Sequence, residues 1–515
     1  MTVLLVATLA VPAVGALAAA LLPDRTGRVV GTVAAALAFL ASVALAFGRA
    51  SGGHGAIRPW HQLDLPWVPS LDLRFHLGVD GISWPLVVLT TLLTLLCCGY
   101  TMWRVPVPGV DRPGVDPGAP AEEAVSGARG RYLVALLLVI EVGILGVFES
   151  LDLVLFFVFF EVVLLPMYAV IAVWGGARRR AAATKFVLYT LFGSVLLLAG
   201  VFVVVAQAGT ADLVTLTQRG GAGLGHGTQV LAFALLALAF AVKSPLWPLH
   251  TWLPDAHTEA PTVGSVVLAG VLLKMGTYGL LRVAVGAAPA GARTLAPVLG
   301  ILATAAILVG ALVCLRQTEL KRLIAYSSVG HMGFVLLGIA TLTATGFQAA
   351  LVGNVAHGLL TGLLFFLAGA LKDRTHTGEL SALGGLREIA PGLAGLLGFA
   401  AIGSLGLPGL AGFWGEFFTV YAAVRHGGPL WMVLAVLAAV GGALAAAYFL
   451  RLLRRVTHGP AARAVADLRP PGLAGVEVAA WSPLVLLALA VGLVPSLVLA
   501  LTAAPVHALV TVVTR

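Results

Sequence analysis

Three ionisable residues lie inside long apolar runs of this sequence, where a charge is costly. Glu161 stands within LFFVFFEVVLLPMY, Lys243 ends AFALLALAFAVK, and Lys274 stands within GVLLKMGTYGLL. A charge at the bilayer centre costs roughly 2.5–3.5 kcal/mol by insertion scales, so such residues persist where they pair or face water. If Glu161 pairs with Lys243, each holds the other ionised, and separating them favours the neutral lysine and the neutral acid. The pattern therefore predicts a proton switch.

Four more titratable residues occupy similar depths in other apolar runs. Glu141 lies in LLLVIEVGILG, His331 in SSVGHMGF and His357 in GNVAHGLL, and Glu416 closes PGLAGFWGEF. Histidine titrates near neutral pH, which suits it to passing protons. For either histidine alone, a core residue with satisfied hydrogen bonds is an equally good interpretation, and the sequence names no partner for Glu141. Together with the first three residues, these groups predict a row of charges across the membrane.

Two proline-containing segments interrupt apolar runs next to these charges. Pro245 and Pro248 follow Lys243 at once, and Leu407-Pro408-Gly409 precedes Glu416. Proline removes a backbone donor and clashes with the preceding turn, so a helix ends or kinks there. Within a bilayer, broken backbone is tolerated only inside protein or against water. We therefore predict two broken helices, as in transporters that bind ions at mid-membrane.

The composition sets the class of protein that carries these residues. Of 515 residues, 60% are hydrophobic and 10% are charged, and the mean hydropathy is +1.02. Runs of about 20 apolar residues predict an all-α polytopic membrane protein without a soluble domain. We predict fourteen spans, near 2–22, 28–48, 80–103, 131–148, 151–174, 183–207, 228–254, 261–285, 295–315, 321–342, 347–371, 391–422, 430–456 and 479–501.

The loops between the spans predict the orientation of the chain. Most of the 31 lysines and arginines lie in loops after odd-numbered spans. The positive-inside rule then places those loops in the cytoplasm and both termini outside. The same distribution accounts for the net charge of +9, so nucleic acid is not needed to explain it. Residues 49–79, which include LDLRFHL, predict a surface loop with a short hairpin, and residues 104–130 predict a flexible loop.

The two predicted broken helices occupy matching places in the chain. Spans 4 to 8 and spans 9 to 13 each have a broken helix as their fourth member, and five spans per block makes the second block enter from the opposite side. We predict two inverted five-helix repeats, at 131–285 and 286–456. They follow an N-terminal part of three transmembrane helices and their loops at 1–130. A cytoplasmic loop and a last transmembrane helix follow at 457–515.

Other polar residues fit structural roles better than chemical ones. Cys97, Cys98 and Cys314 lie in apolar runs without metal-binding spacing, so neither disulfides nor iron–sulfur ligation is indicated. His250, Asp255 and His257 could suggest a metal site, but capping or interface polarity explains them better, and we predict no metal. Asp152 is typical of a helix N-cap. The sequence contains no nucleotide-binding motif.

Four segments resemble one known family. DLVLFFVFFEVVLLPMY, KSPLWPLHTWLPDAHTEAPTVGSVVLAGVLLKMGTYGLLR, LKRLIAYSSVGHMGF and LPGLAGFWGEF are similar to the antiporter-like subunits of proton-pumping NADH:quinone oxidoreductase, respiratory complex I. The resemblance covers about 131–456. Glu416 stands where sister subunits have lysine, and no long lateral helix follows the last span. Both features favour the subunit M branch.

The resemblance implies a role for most members of the charge row. It makes Glu161 and Lys243 a coupled pair, Lys274 a central relay, His331 and His357 the link between repeats, and Glu416 the terminal carboxylate. Protons would come from the cytoplasm to Lys274 and Lys243, pass along the histidines to Glu416, and leave outward. Glu141 has no clear place in the family pattern.

The resemblance also implies which partners and cofactors surround the chain. It implies no redox cofactor here, with NADH, FMN, iron–sulfur clusters and quinone in partner subunits. The partners would be other membrane-arm subunits, including sister antiporter-like subunits, within a lipid bilayer. The excess of arginine over lysine and the abundance of alanine and glycine indicate a GC-rich genome and hence a bacterial plasma membrane.

Three alternatives remain open at the level of sequence. A subunit of a multisubunit sodium/proton antiporter would use the same charges and broken helices. A purely structural membrane scaffold fits poorly, because buried charges would serve no purpose there. A stand-alone solute carrier would need a cluster of polar residues large enough for a substrate, which the sequence does not indicate.

Overall fold

The computed structural model describes residues 2–47, 57–105, 130–467 and 472–514. Within these ranges the chain is a bundle of helices, and fourteen helical segments are long and apolar enough to cross a membrane, with Leu153–Trp174 counted as one. This confirms the predicted all-α membrane fold. Most of the loop predicted at 104–130 lies outside the described residues, so that prediction is untested.

The helices that frame the charge row follow one another closely. They are α1 (Thr2–Leu21), α2 (Asp24–Ala44), α3 (Trp84–Thr101), α4 (Gly130–Glu149), α5 (Leu153–Val162), α6 (Leu164–Trp174), α7 (Arg179–Ala208), α8 (Leu213–Arg219), α9 (His226–Lys243) and α10 (Trp252–Glu259). The rest are α11 (Thr262–Ala287), α12 (Pro289–Arg316), α13 (Leu320–Ala340), α14 (Ala344–Thr375), α15 (Leu386–Ile389), α16 (Pro391–Ser404), α17 (Ala411–His426), α18 (Pro429–Thr457), α19 (Arg463–Ala466), α20 (Gly475–Leu493) and α21 (Ser496–Thr514).

One end of the bundle carries a small sheet, and we call it the hairpin end. Strands β1 (His61–Val68) and β2 (Leu73–Val79) pair antiparallel, with an irregular register between Pro66 and Val68. This confirms the predicted hairpin. Asp152 begins α5 as predicted, since its carboxylate accepts bonds from the backbone N–H groups of Val154 and Leu155 at 2.9 and 3.0 Å.

The opposite end is fastened by ion pairs, and we call it the basic end. Its arginines and lysines join the ends of helices that are distant in sequence. The pairs are Arg104–Asp373, Arg178–Glu259, Lys185–Asp255 and Arg374–Glu477. All eight residues lie where the sequence predicts basic loops or their neighbours.

Both predicted broken helices are present. The first breaks between α9 and α10, where the indole N–H of Trp252 donates to the carbonyl of Val242 at 3.0 Å and so satisfies a group freed by the break. The second breaks between α16 and α17 around Gly406 and Gly409, both of which adopt positive φ. The inverted relation of the two five-helix blocks stays a prediction.

Two irregularities were not predicted from the sequence. The span predicted at 151–174 is interrupted at Val163, two residues after Glu161, because Pro166 cannot donate to the carbonyl of residue 162. Helix α11 contains two widened π-turns, Leu268–Leu272 and Leu280–Ala284. Such turns often occur at functional sites.

The end of the chain differs from the prediction of one last helix. The span predicted at 479–501 is two helices, α20 and α21, because Pro495 and the non-helical Val494 before it end the first. The backbone of Leu501 lies beside Gly81, and the carbonyl of Val513 accepts a bond from Arg293. These contacts lay α21 across the hairpin end. It counts among the fourteen apolar helices, whereas the second broken helix does not, since its two pieces are shorter.

Candidate functional site

Lys274 is held at the middle of the most enclosed helix of the bundle. Its side chain is completely buried, as is the whole apolar window of α11. The ammonium nitrogen Nζ donates to the carbonyl of Ala269, in the first π-turn, at 2.5 Å. It also lies 2.7 Å from Nδ1 of His357 on α14. Lys274 is therefore joined directly to the second five-helix block.

The row continues from His357 through His331 to Glu416. The rings of His357 and His331 are 5.8 Å apart between centroids, and Nδ1 of His331 lies 2.9 Å from Oε1 of Glu416. Four predicted residues thus form one row, in the order Lys274, His357, His331, Glu416. The sequence identified these four residues, and the structure supplies their order and their contacts.

A cavity of about 30 Å³ opens beside both histidines and Glu416. Thr361 and Ser404 also line it and add hydroxyl groups. The Nε2 atoms of both histidines are buried and have no hydrogen-bond partner within the described ranges. A polar cavity of this size holds about two water molecules. Water there can bridge the two rings, which do not touch through their nitrogens.

The predicted Glu161–Lys243 ion pair is not formed. Lys243 is 2% exposed, and its ammonium lies over the ring of Phe160, 4.7 Å from the centroid. Oε1 of Glu161 is buried without a hydrogen-bond partner in the part of the chain that the structure describes. The neighbouring aromatic face takes the place of the carboxylate as a cation–π partner. The two charges remain close enough to attract one another electrostatically.

The first broken helix packs directly onto α11 near Lys274. A Cβ on Gly276 would come within 2.2 Å of Oγ of Ser244 and 2.8 Å of the carbonyl oxygen of Phe240. Only glycine permits this approach, which brings the break after Lys243 against the helix that carries Lys274. The segments that carry Lys243 and Lys274 are therefore in contact through packing, without a hydrogen bond between the two lysines.

Glu141 lies apart from the row. It is completely buried on α4, and neither of its carboxylate oxygens has a hydrogen-bond partner within the described residues. The structure gives it no contact with Lys274 or the histidines. Its part in a proton pathway stays a prediction.

The sequence interpretation missed His257. This side chain on α10 is completely buried, its ring stacks on Phe365 at 4.5 Å, and neither nitrogen has a partner among the described residues. It lies within electrostatic reach of Lys274 and Lys321. Its position in the broken helix, fourteen residues after Lys243, could have indicated a functional role. The sequence analysis explained this histidine by capping or interface polarity instead.

A larger cavity, of about 340 Å³, lies at the basic end and is lined by Thr258, the residue after His257. Polar and backbone groups of several helices line it, including those of Arg104, Glu259, Lys321, Lys372 and Asp373. Of the three residues once considered for a metal, Asp255 instead bonds Lys185 at 2.7 Å and His250 packs against Tyr326. Within the described ranges, no cluster of three or more His, Cys, Asp or Glu could hold a metal ion.

Comparison with known proteins decides the family. The sequence model of the family described as NADH:quinone oxidoreductase/Mrp antiporter, TM, matches residues 150–441. NADH-quinone oxidoreductase subunit M of Rhodobacter capsulatus is 40% identical over 491 residues, which cover 92% of this chain and 88% of that one. This chain belongs to the family of antiporter-like subunits.

Other members of the antiporter-like family support the same assignment. NAD(P)H-quinone oxidoreductase chain 4 3 of Trichormus variabilis is 37% identical over 96% of this chain and 89% of that one. A chain of respiratory complex I from Thermus thermophilus superposes with a TM-score of 0.85 at 31% identity, covering 99% of both chains. A chain of the Mrp complex from Dietzia sp. shares the fold, with a TM-score of 0.83 at 22% identity over the full length of both.

Proposed function

We propose that this chain translocates protons as a membrane-arm subunit of NADH:quinone oxidoreductase. The observation that carries the proposal is the row from Lys274 to Glu416, which joins two blocks of helices at the depth where charges are most costly. Each member can bind and release a proton. The similarity to subunits of NADH-quinone oxidoreductases supports NADH oxidation by quinone as the source of energy.

The proposed orientation places the basic end in the cytoplasm of a bacterial cell and the hairpin end outside the plasma membrane. Protons then reach the 340 Å³ cavity first. His257 lies within electrostatic reach of Lys321, which lines this cavity, and of Lys274, and neither of its ring nitrogens has a hydrogen-bond partner among the described residues, so it is suited to pass a proton inward. In this orientation both termini lie outside.

The row then moves the proton sideways. Lys274 gives a proton to Nδ1 of His357, which releases one from Nε2 through cavity water to His331. His331 donates to the Glu416 carboxylate, from which the proton leaves outward. Each transfer covers one hydrogen bond or one bridging water, the range over which side chains exchange protons.

The energy for this movement comes from other subunits in our proposal. They hold NADH, FMN, iron–sulfur clusters and quinone, while this chain carries no redox centre. Charge changes in neighbouring subunits alter the attraction between Glu161 and Lys243, and Lys243 passes the bias to Lys274 through the packed break at Gly276. The pair acts as a switch without direct contact.

The direct test is affinity purification of this chain in mild detergent, with an assay for NADH-dependent quinone reduction. We expect flavin and iron–sulfur subunits to co-purify and the preparation to oxidise NADH. If only small membrane subunits co-purify and vesicles exchange sodium for protons without NADH, the chain is an antiporter subunit instead. Unchanged transport after neutral substitutions along the whole row would indicate a scaffold.

A further inference from the structure

The first block contains a second line of polar residues that leads from Lys274 toward the hairpin end. Tyr278 and Arg282 follow Lys274 at intervals of four along α11, so they continue along one side of the helix. Both are buried, at 1% and 2% exposure. This line would offer a proton on Lys274 a shorter way out than the row through the histidines.

The first step of this line ends at a backbone carbonyl. The hydroxyl of Tyr278 donates to the carbonyl of Phe148 at 3.0 Å, and the Phe148 ring packs edge-on against Tyr278 at 5.1 Å. A carbonyl oxygen accepts a hydrogen bond but has no proton to hand on. The hydroxyl of Tyr278 therefore donates to a group that cannot pass a proton on.

The second step is occupied by a fixed positive charge. Arg282 forms an ion pair with Asp80 in which both side chains are 2% exposed. The other carboxylate oxygen of Asp80 accepts the backbone N–H groups of Ile82 and Ser83 at 2.9 and 3.1 Å. Asp80 is thus held by its own turn and holds Arg282 in place. The second π-turn, Leu280–Ala284, contains Arg282.

An arginine in this position blocks protons in two ways. Its guanidinium does not lose its proton in proteins, so it cannot serve as a relay. Its charge also repels an approaching proton, as pore arginines do in channels that exclude protons and cations.

A buried carboxyl next to this line makes such a block necessary. Glu149 is completely buried, and Oε1 accepts from the hydroxyl of Thr8 at 2.8 Å, while Oε2 has no partner within the described residues. It lies within electrostatic reach of Tyr278. Without Arg282, Tyr278 and Glu149 would supply a chain of proton carriers.

We propose that Arg282, fixed by Asp80, is an electrostatic plug that closes the first block toward the hairpin end and directs protons from Lys274 to His357. The second block has no matching plug beside Glu416 among the described residues, where the structure instead has the 30 Å³ cavity. This inference rests on the proposed proton translocation and adds the route that protons take from Lys274.

The test is the passive proton leak of liposomes that contain the whole purified complex, measured without NADH under a potassium diffusion potential. In Asp80→Asn/Arg282→Gln, which removes both charges, we expect the leak to rise at least about tenfold, because a charge barrier in low dielectric has been removed. Adding Glu149→Gln should reverse most of the increase. If the assembled double variant leaks protons no faster than wild type, Arg282 is not a plug.

Arg282→Lys is the control variant. It also tests the plug if the double variant does not assemble. Lysine keeps the charge near pH 7, so these liposomes should be tight, but a buried lysine can lose its proton. We therefore expect their leak to rise above that of wild type as the pH is raised, with Asp80, Tyr278 and Glu149 unchanged. A leak well above that of wild type at pH 7, where the lysine keeps its charge, would show that charge at this position does not close the path.

Lys274→Ala in the same liposomes separates the two proposals. If it leaves NADH-driven proton transport unchanged, the proposed function fails. If it abolishes transport while all Arg282 variants stay tight, only the plug fails.

Discussion

At the scale of single residues, the row depends on which end of each hydrogen bond holds the proton. His331 lies beside the Glu416 carboxylate at 2.9 Å, whereas His357 lies beside the Lys274 ammonium at 2.7 Å. In both contacts the histidine uses Nδ1. The same ring nitrogen thus meets an anion at one end of the row and a cation at the other, which a neutral histidine achieves by changing its tautomer.

This symmetry predicts how Glu416 tolerates replacement. Glu416→Lys should keep proton transport within about threefold of wild type, because Lys274 and His357 already form a close lysine–histidine contact and lysine still exchanges protons. Glu416→Gln, similar in size but unable to titrate, should lower transport at least about tenfold. Transport in vesicles with equal amounts of assembled complex is the measurement. Equal loss in both variants would show that the carboxylate itself is required.

In the proposed switch Glu161 acts on Lys243 without touching it, and this gives a second prediction. Glu161→Gln should leave assembly intact and lower the proton yield per NADH by more than about twofold, because it removes an attraction on Lys243 on the order of 1 kcal/mol. Glu161→Asp keeps the charge and is the matched control, expected near wild type. An unchanged proton yield per NADH in the assembled Glu161→Gln complex would refute the proposed Glu161–Lys243 switch.

At the scale of elements, the contact between the first broken helix and α11 is a close packing constraint beside the row. Gly276→Ala would press a methyl group against Ser244 and the Phe240 carbonyl. We expect the assembled complex to lose about 1–3 kcal/mol of stability, the usual cost of overpacking. Thermal unfolding of the purified complex measures the loss. Gly99→Ala, which meets nothing within 4 Å, is the control, and equal unfolding temperatures would refute the constraint.

The hairpin is anchored to the bundle through Asp212. Its carboxylate bonds His76 of β2 at 2.8 Å and the backbone N–H of Thr215 at 2.8 Å, which caps α8. Burial acts to raise the pKa of Asp212, but the bonds from His76 and Thr215 outweigh it and leave the pKa below its ordinary value. This stabilisation is therefore present above pH of about 4 and is lost as the pH falls through the lowered pKa.

Replacing Asp212 should loosen the hairpin. Asp212→Ala removes both the cap and the bond to His76, at a cost of about 1–2 kcal/mol, so hydrogen exchange across residues 61–79 should become faster at pH 7. Asp212→Asn still caps the helix and should have a smaller effect. If neither variant changes exchange in the hairpin, the anchor lies elsewhere.

Much of this arrangement could be predicted from residue type and spacing. Prolines beside Lys243 and Glu416 predicted both broken helices, and apolar runs predicted most spans, because both signals are local. The missing Glu161–Lys243 contact depends on which way a lysine turns between a carboxylate and the Phe160 ring, which no spacing decides. The π-turns of α11 and the course of α21 depend on tertiary packing in the same way. His257 was missed because its burial is a property of the folded bundle.

At the scale of the whole molecule, the two blocks are joined between α11 and α14 by the contact of Lys274 with His357 and by the hydrogen bond from Thr277 to Asn354. One cavity opens at the basic end beside the start of α11, and a second cavity lies beside His357, His331 and Glu416. The first block is closed toward the hairpin end by Arg282 and Asp80. The account therefore requires every proton that this chain moves to cross from one block to the other at His357.

The most direct measurement is the rate of NADH-driven proton transport in vesicles that contain assembled complex with His357→Asn. Asparagine keeps a polar side chain but cannot relay a proton between two ring nitrogens. The account predicts a fall of at least about tenfold, with His250→Asn, a histidine away from the row, near wild type. Transport at the wild-type rate in the assembled His357→Asn complex would contradict the row as the path of the proton.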